Sequence, residues 1–327
     1  MKAIVFDKIG SPNEVLRLAE VPLPKIKKGE VLIKMTSASV NPGDFLFIQN
    51  LYPDPKKPVF PQQIVGNHGA GIIEKTSNNI SLKPGTHVAF SYYNTWSEYA
   101  AVPEEWLIPL PADYPIEKAS QFLNLITAWD VLTQSQVLPG QWIALTAGNS
   151  SVSSMISQFA KYRGINVIAI VRNSHPSIDL KAMGATAVID LSSTGGHLRN
   201  RIMDLTQSKG LNGIVDNVGG PLIVELIKST AFGSTLVING GMSDEKYTLH
   251  NNDIYLNGLT IKSHIYRYFF SPPNKQDIHM LNEIITISSK DDFNVPIAKI
   301  HSLEEYAVAV AESFHGKNKG KHIFKIS

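Results

Sequence analysis

Apolar positions follow two different rhythms along this chain. Up to about residue 122, short β-type runs such as KAIVF (2–6), EVLIKMTSA (30–38) and HVAF (87–90) are separated by turns that contain proline and glycine. Frequent short strands with such turns predict a compact, mostly antiparallel barrel. From about residue 123 to 268, apolar strands instead alternate with amphipathic helices. This alternation predicts an α/β domain with a parallel, doubly wound sheet and helices on both faces.

The alternating part at 123–268 contains six strand-like runs. They are WIAL (142–145), NVIAIV (166–171), AVIDL (187–191), GIVDNV (213–218), STLVIN (234–239) and LTIKSHI (259–265). Between them we expect helices near 152–162, 196–208 and 221–230, and a short helix that ends near Met183 and Gly184. Ligands on such sheets bind at the carboxyl ends of the strands.

The segment Ser-Pro-Pro-Asn at 271–274 ends this alternation. After it we expect helices near 275–289 and 303–315 and a terminal strand, HIFKI, with the whole tail packing back on the first domain. The sequence therefore predicts two domains, which fits the length of 327 residues. Their predicted extents are 1–122 with 269–327, and 123–268. We expect the substrate cleft to lie between the two lobes.

Composition limits the classes of partner. Lys and Arg number 30 and Asp and Glu 28, which leaves a formal charge of +2, and this balance favours neither nucleic acid nor an anionic membrane surface. No apolar stretch reaches the roughly 18 to 20 residues that span a bilayer. The first residues lack the features of a signal peptide, so we expect a cytoplasmic protein. Without cysteine, the chain offers no thiolate nucleophile or thiolate metal ligand.

The segment LTAGNSSVSSMISQFA (145–160) joins the first strand of the alternating part to its first helix. A turn that binds the pyrophosphate of a dinucleotide normally carries several glycines, whereas this loop has serines at 151 and 153. Serine is small, and its N–H still points toward an anion. We therefore interpret the loop as cofactor-binding, and the alternative is an ordinary connection whose serines cap the helix. Its candidate residues are Gly148, Asn149, Ser150, Ser151 and Val152.

Other strand ends carry features that suit the same ligand. The second strand ends at Val171-Arg172, and an arginine there suits a ribose 2′-phosphate whereas an acidic residue suits the 2′-hydroxyl. Arg172 therefore favours NADPH, against the alternative of a solvated arginine at a strand end. Glycines after two later strands allow backbone to approach a ribose and nicotinamide, although tight turns explain them nearly as well. The candidate residues there are Asn217, Gly219, Gly240, Gly241 and Met242.

Short segments with a specific order and spacing run nearly from one end of the chain to the other. They include ASVNPGDFLFIQNLYP (38–53), FLNLITAWDVL (122–132), MGATAVIDL (183–191), VDNVGG (215–220) and GKHIFKI (320–326). Through them the chain resembles the medium-chain dehydrogenases/reductases of the zinc-free quinone oxidoreductase and 2-enoyl thioester reductase branch. The resemblance implies a GroES-like catalytic domain, a Rossmann domain and a homodimer joined through the edge of the Rossmann sheet.

The zinc enzymes of that superfamily need a cysteine ligand and a histidine in a Gly-His-Glu segment. Here the segment reads Gly66-Asn67-His68, and the chain has no cysteine. We therefore expect hydride transfer without a metal, and we predict no metal ligands. A single histidine beside glycines, such as His68, is usually structural. A zinc alcohol dehydrogenase is the third hypothesis for the function, after the reductase and the catalytically silent binding protein that are described below.

The resemblance also implies roles for three residues. Thr127 matches a position beside the nicotinamide, Asn41 opens the Asn-Pro-x-Asp segment, and Tyr52 matches the tyrosine of the family. We expect NADPH to deliver hydride to a conjugated carbonyl, whose oxygen then needs a hydrogen-bond donor. A tyrosine is neutral at pH 7 and can donate, so Tyr52 is the candidate, with Asn41 positioning it. The alternative for Tyr52 is a loop aromatic residue beside a surface turn at 53–55.

The substrate stays open between a quinone, an enone and a 2-enoyl thioester. Gly66-Asn67 and the loop at 147–150 look closer to the enoyl thioester reductases, whereas the later serines and His68 depart from the family pattern. The aromatic segment 265–270 can line a quinone slot or an acyl channel, or belong to the core. A catalytically silent dinucleotide-binding sensor or interaction protein is the alternative of a different class.

Overall fold

The computed structural model describes residues 1–52, 57–174, 178–193, 195, 197–314 and 320–326. The chain divides into two compact units, each with its own sheet and core. One unit comprises residues 1–124, 268–290 and 295–327, and the other comprises 125–267 and 291–294. Within the described residues, no helix is both long and apolar enough to cross a membrane.

Sixteen strands are present in the described residues. They are β1 (Lys2–Phe6), β2 (Arg17–Glu20), β3 (Glu30–Ser39), β4 (Gln63–Ile64), β5 (His68–Thr76), β6 (His87–Ser91), β7 (Tyr99–Pro103), β8 (Leu107–Leu110), β9 (Trp142–Leu145), β10 (Asn166–Val171), β11 (Ala187–Asp190), β12 (Leu211–Asp216), β13 (Thr230–Ile238), β14 (Thr260–Ser263), β15 (Ile297–His301) and β16 (Lys321–Lys325). Most are runs of buried apolar residues, as their sequences predict.

The α-helices of the described residues vary in length from one turn to more than three. They are α1 (Pro12–Val15), α2 (Pro42–Ile48), α3 (Ile116–Ala119), α4 (Phe122–Gln134), α5 (Ser151–Tyr162), α6 (Leu198–Leu205), α7 (Leu222–Ile227), α8 (Asn251–Tyr255), α9 (Ile278–Ser288) and α10 (Tyr306–Phe314). Single 3₁₀ turns at Lys275–Asp277 and Leu303–Glu305 precede α9 and α10. The two predicted helices of the tail are therefore present.

Strand β3 is the centre of the seven-stranded sheet in the first unit. Strand β5 pairs with one edge of β3, while β7 and β16 share the other edge. All of these pairs are antiparallel, and β15 lies parallel to β16 at the end of the sheet. A smaller sheet has the order β2-β1-β4. The prediction of a mostly antiparallel part is confirmed, and the C-terminal strand lies in the same sheet as β3.

The second unit contains one parallel sheet of six strands in the order β11-β10-β9-β12-β13-β14. Counted within the unit, this order is 3-2-1-4-5-6, the arrangement of dinucleotide-binding sheets. The strand order reverses between β9 and β12, and ligands of such sheets bind at the carboxyl ends of the strands at this point. Strand β10 is apolar and buried over Val167–Val171, as expected for a strand covered on both faces. The predicted parallel sheet is confirmed.

One predicted helix is wrong in the part that the structure describes. Instead of a short helix ending near Met183 and Gly184, residues 180–184 form hydrogen-bonded turns. The Asp179 carboxylate accepts the N–H groups of Lys181 and Ala182, both at 3.0 Å, and such local bonds compete with a helix. Residues 175–177, where that helix would begin, lie outside the described residues.

Candidate functional site

The loop after β9 lies close against β10 through Gly148. A Cβ at position 148 would lie 2.8 Å from both the Ile170 nitrogen and Ala169 Cβ, which is closer than real Cβ atoms come. Position 147 carries the left-handed turn with an alanine at φ 47°, a conformation that glycine adopts more easily. The loop therefore keeps the one glycine that packing requires.

The serines that replace glycines in this loop are held by hydrogen bonds. Ser150 is the N-cap of α5, and its Oγ accepts the N–H of Ser153 at 3.2 Å. Ser153 is fully buried, and its own hydroxyl donates to the carbonyl oxygen of Thr146 at 3.3 Å. The capping that we weighed as the alternative is thus present. It ties α5 to the end of β9 without blocking the helix N-terminus.

Three N–H groups stay available at the start of α5. No hydrogen bond among the described residues uses the N–H of Asn149, Ser151 or Val152. The N-terminus of a helix carries partial positive charge, and its first N–H groups have no partner within the helix. Backbone N–H groups of this kind are a typical binding site for phosphate.

A pocket of about 230 Å³ lies at the carboxyl end of β10 and is lined partly by Asn149 of this loop and by Val188 of β11. Val171 and Val188 give it apolar walls, while Ser174, Asp179 and Lys181 supply polar groups. An apolar pocket with a few polar groups is the usual form of a small-molecule site. The sequence analysis did not identify Ser174 or Lys181, because neither stands in a local pattern.

Arg172 follows β10 directly and is exposed. Its side chain makes no hydrogen bond within the part of the chain that the structure describes. Ser174, two residues later, is held by Asp190, whose Oδ2 accepts the Ser174 N–H at 2.6 Å. Hydrogen bonds from Ser192 and Ser174 lower the pKa of Asp190 to about 2. The ionised Asp190 therefore fixes the backbone beside the pocket and leaves the Arg172 guanidinium available.

The loops after β9, β12 and β13 meet at Asn217. Its side-chain amide donates to the Thr146 carbonyl oxygen at 2.9 Å, and its Oδ1 accepts from Asn239 at 2.6 Å. A Cβ at Gly240 would lie 2.5 Å from the Asn217 carbonyl oxygen, so glycine is required there. Asn217 and Gly240 therefore hold three strand ends together at the point where the strand order reverses.

The other residues predicted in the loops after β12 and β13 have free space around them or are exposed to solvent. A Cβ at Gly219 or Gly241 would meet no atom within 4 Å, although Gly219 has φ 79°, and Met242 is 70% exposed. The buried Asp216 accepts the Gly219 N–H at 3.1 Å and the Thr146 hydroxyl at 2.8 Å. Asp216 is a residue that the sequence analysis missed, and its only signal was an acidic residue at the end of a buried strand.

Thr127 lies on α4 and is the only residue between positions 121 and 132 that is not buried. No hydrogen bond of its hydroxyl occurs within the described residues. A partly exposed hydroxyl on an otherwise buried helix can contact a ligand, so Thr127 stays a candidate for cofactor binding.

In the first unit, Asn41 is the N-cap of α2. Its amide nitrogen donates to Ser39 Oγ at 2.8 Å, and its Oδ1 accepts from Lys321 Nζ at 3.0 Å and from Asn124 at 3.2 Å. Because the donor and the acceptor both have partners, the orientation of the amide is fixed. The sequence analysis did not identify Lys321, which lies 280 positions from Asn41.

Asp44 lies one helical turn after Asn41 and is buried. Its carboxylate accepts the backbone N–H of Asn41 at 2.8 Å. It also accepts the backbone N–H and the side-chain amide N–H of Asn67, each at 3.0 Å. Burial raises the pKa of Asp44 to about 6, although these donors and the Lys321 charge act in the opposite direction. Burial also lowers the pKa of Lys321 to about 8. The two charges lie in a poorly solvated cluster.

Tyr52 packs next to this cluster. Its ring meets Phe269 edge to face at 5.3 Å between centroids, and its hydroxyl lies over Gly43, where a Cβ would overlap it. Burial raises the pKa of Tyr52, and the charge of Asp44 raises it further. The hydroxyl is therefore neutral at pH 7 and can donate a hydrogen bond. The predicted surface turn at 53–55 lies outside the described residues.

Comparison with known proteins supports the assignment of both units. Residues 27–112 match the family described as alcohol dehydrogenase GroES-like domain, and residues 151–283 match zinc-binding dehydrogenase. The mitochondrial enoyl-[acyl-carrier-protein] reductase of Homo sapiens is 33% identical over 258 residues, which are 75% of this chain and 67% of that protein. Its Xenopus tropicalis counterpart is 31% identical over 76% of this chain and 72% of that protein. The chain belongs to the medium-chain dehydrogenase/reductase superfamily.

Within the medium-chain dehydrogenases/reductases, the chain falls in the branch of the quinone oxidoreductases and enoyl reductases, and the predicted family is confirmed. Escherichia coli quinone oxidoreductase complexed with NADPH has a TM-score of 0.86 at 19% identity, covering 99% of this chain and 100% of that one. The Etr1p/NADP/crotonyl-CoA complex has a TM-score of 0.83 at 24% identity, covering 99% of each. These similarities confirm the predicted GroES-like and Rossmann folds.

Proposed function

We propose that this protein is an NADPH-dependent reductase that acts on a conjugated carbonyl compound without zinc. The observation that carries the proposal is the loop after β9, where Gly148 packs on β10 and the N–H groups of Ser151 and Val152 stay available at the start of α5. The curated relatives, named enoyl-[acyl-carrier-protein] reductases, and the quinone oxidoreductase of similar fold support the reaction class.

The residues present fit this cofactor. The N–H groups at the start of α5 would hold the pyrophosphate, and Val171 and Val188 would pack against the adenine. A 2′-phosphate needs positive charge, which Arg172 and Lys181 would supply beside the pocket. When bound, the dihydronicotinamide supplies the hydride. Thr127, Asn217, Gly219, Gly240, Gly241 and Met242 are the candidates for contacts with the rest of the cofactor.

Tyr52 would supply the proton donor. A conjugated carbonyl that accepts a hydride gains negative charge on its oxygen, and a neutral donor fixed in place stabilises that charge. Burial keeps the Tyr52 hydroxyl protonated, and its position over Gly43 ties it to the first turn of α2. Asn41 caps that turn and is fixed by Ser39 and Lys321. Asn41 is therefore a positioning residue in this proposal.

A 2-enoyl thioester is the substrate class that the relatives favour. The human and Xenopus proteins named for this activity are 33% and 31% identical, whereas the E. coli quinone oxidoreductase is 19% identical. The alternative function, a catalytically silent dinucleotide-binding protein, was suggested by the serines that replace glycines in the loop after β9. Since Ser153 is buried and hydrogen bonded rather than directed into a phosphate site, no structural observation favours that alternative.

The residues near His68 do not fit a catalytic zinc ion. His68 Nδ1 lies 3.4 Å from the Asn41 side-chain nitrogen, and the chain has no cysteine. Within the part of the chain that the structure describes, no three His, Asp or Glu side chains bring ligand atoms together around His68. Zinc-independent chemistry is therefore part of the proposal.

A homodimer joined through the edge of the parallel sheet is also part of the proposal. Strand β14 forms that edge, and Phe232 and Tyr255 are 84% and 75% exposed on the elements beside it. Sedimentation equilibrium would test this state, and Phe232→Glu would shift a dimer toward monomer. The cytoplasmic location stays a prediction.

The decisive experiment assays NADPH consumption by the full chain with a panel of 2-enoyl thioesters, enones and quinones. We expect turnover with a 2-enoyl thioester. Tyr52→Phe should lower kcat by about 100-fold or more while the Kd for NADPH stays unchanged, and Tyr162→Phe, on an exposed tyrosine at the end of α5, should leave both unchanged. Tight NADPH binding with no turnover across the panel would contradict the proposed reductase.

A further inference from the structure

A second polar cluster lies where β15, β16 and α10 meet. It is formed by His301, Glu312 and His322. The His301 Nε2 and His322 Nδ1 atoms are 2.9 Å apart, and the Glu312 carboxylate lies 3.6 Å from His322 Nδ1. One ligand atom of each residue lies within 4.8 Å of the other two, and no other group of this kind occurs among the described residues.

This cluster is separate from the candidate active site. Successive side chains of a strand point to opposite faces, and Lys321 directs its ammonium to Asn41. Its neighbour His322 therefore points to the opposite face of β16, toward His301 and Glu312. None of the three residues is used in the proposed reaction.

The chemistry of the cluster suits a transition-metal ion. Both imidazoles are buried, with exposures of 1% and 4%. Neutral imidazole is the commonest protein ligand of transition-metal ions. The carboxylate adds a negative charge that a buried cation needs. Because the Glu312 side chain is 49% exposed, an ion could enter from solvent on that side.

The distances also suit such an ion. Zinc–nitrogen and zinc–oxygen bonds of about 2.0 to 2.2 Å place neighbouring ligand atoms of a tetrahedral site about 3.3 to 3.6 Å apart. The observed separation of 3.6 Å between Glu312 and His322 matches that spacing, and the 2.9 Å between the two imidazoles is shorter. The third separation, between His301 and Glu312, is within 4.8 Å. Side-chain movements would bring the three atoms to bonding distance, and the ion would replace the hydrogen bond between the two rings.

We propose that His301, Glu312 and His322 form a binding site for a divalent transition-metal ion of the Zn²⁺ class, with water as the fourth ligand. The ion would join the last helix to the last two strands. Since the unfolded chain does not hold these ligands together, binding would stabilise the folded C-terminal segment. The spacing of 301, 312 and 322 matches no short metal motif, so the sequence analysis predicted no metal ligands.

The test is a titration of the metal-stripped full chain with Zn²⁺, followed by calorimetry and by the shift in Tm. We expect one ion per chain and a higher Tm with the ion. Glu312→Gln should weaken binding by about tenfold or more and His322→Gln should abolish it, whereas His279→Gln and Glu14→Gln, both at exposed positions, should change neither readout.

Co²⁺ provides an independent readout, because four-coordinate Co²⁺ absorbs strongly in the visible region. We expect this band in the native chain and in His279→Gln, and its loss in Glu312→Gln. If His322→Gln does not fold, Glu312→Gln alone tests the proposal, because the Glu312 side chain is half exposed and its replacement should not prevent folding. The proposal is overturned if the native chain binds no stoichiometric ion, or if Glu312→Gln binds it as tightly as the native chain.

Discussion

The backbone N–H of Gly148 donates to the carbonyl oxygen of Ile170 at 2.7 Å. This bond holds the loop after β9 against the neighbouring parallel strand and leaves no room for a side chain at position 148. Backbone atoms of a central strand cannot move aside as the end of a flexible side chain can. The identity of residue 148 is therefore determined by packing, and the free N–H groups of the loop depend on that packing.

Gly148→Ala should lower both stability and cofactor affinity. The added methyl group would press on β10, and overpacking of this kind costs about 1 to 3 kcal/mol of unfolding free energy. Gly241→Ala is the matched control for stability, because that position is exposed with nothing within 4 Å of a Cβ, and it should change the unfolding free energy by less than about 0.5 kcal/mol. Equal Tm values for the two variants would show that the loop is not held against β10.

Arg172 and Lys181 should each contribute to a preference for NADPH over NADH. Loss of a charge-assisted contact to the 2′-phosphate should reduce the ratio of the two affinities by about tenfold for Arg172→Ala and for Lys181→Ala. Fluorescence titration with each cofactor measures this ratio. Lys209→Ala is the control, because this exposed lysine precedes β12 and so lies at the amino ends of the parallel strands, away from the pocket. If only Lys181→Ala changes the ratio, the role predicted for Arg172 is wrong.

Asp44 should make the protein less stable as pH rises. Its pKa is about 6 in the folded chain, against 3.8 for an unperturbed aspartate. The carboxyl group is neutral in both states well below pH 3.8, and the rise in its pKa on folding lowers the stability by about 3 kcal/mol in total once the group is ionised in both states. Relative to Asp44→Asn, which does not titrate, the native chain should therefore lose stability between about pH 4 and pH 7.

Thermal unfolding of both chains across that range measures the effect. Asp113→Asn, which removes an exposed carboxylate, should keep the pH profile of the native chain. A native chain that gains stability relative to Asp44→Asn as pH rises would mean that the Asn67 donors and the Lys321 charge outweigh burial.

The sequence predicted the sheets well because their strands are continuous apolar runs. Strand β10 has the predicted bounds, Asn166–Val171, and all six strands of the parallel sheet are present. Boundaries were less accurate where local bonds compete with regular structure, as at Asp179, whose carboxylate forms a turn in place of the predicted helix.

The candidate sites could be predicted only where a strand end or a loop carries them. Gly148 and Asn217 each follow a buried strand, so their positions are readable from local pattern. Lys321 contacts Asn41 across 280 positions, and no local pattern connects residues so far apart. Asp216 contacts Thr146 across 70 positions, and Lys181 lines the pocket beside Asn149 only in the folded chain.

Arg267→Met should destabilise the second unit strongly. The Arg267 guanidinium contacts the buried Asp130 carboxylate through two nitrogens, at 2.6 Å and 3.0 Å. Removal of the cation leaves a buried charge without its partner, which costs about 3 to 5 kcal/mol for a fully buried pair. Because the Arg267 side chain is 40% exposed, we expect about half of that cost. Urea unfolding of the native chain and the variant measures it.

Two comparisons isolate the contribution of burial. Arg17→Met breaks a contact of similar length with Asp7, at 2.8 Å, but both side chains are more than 40% exposed, so the cost should be below about 1 kcal/mol. The double variant Asp130→Asn/Arg267→Met removes the buried charge together with its partner and should be more stable than Arg267→Met alone. If Arg17→Met and Arg267→Met destabilise the chain equally, the buried position of Asp130 has no effect on the strength of its ion pair.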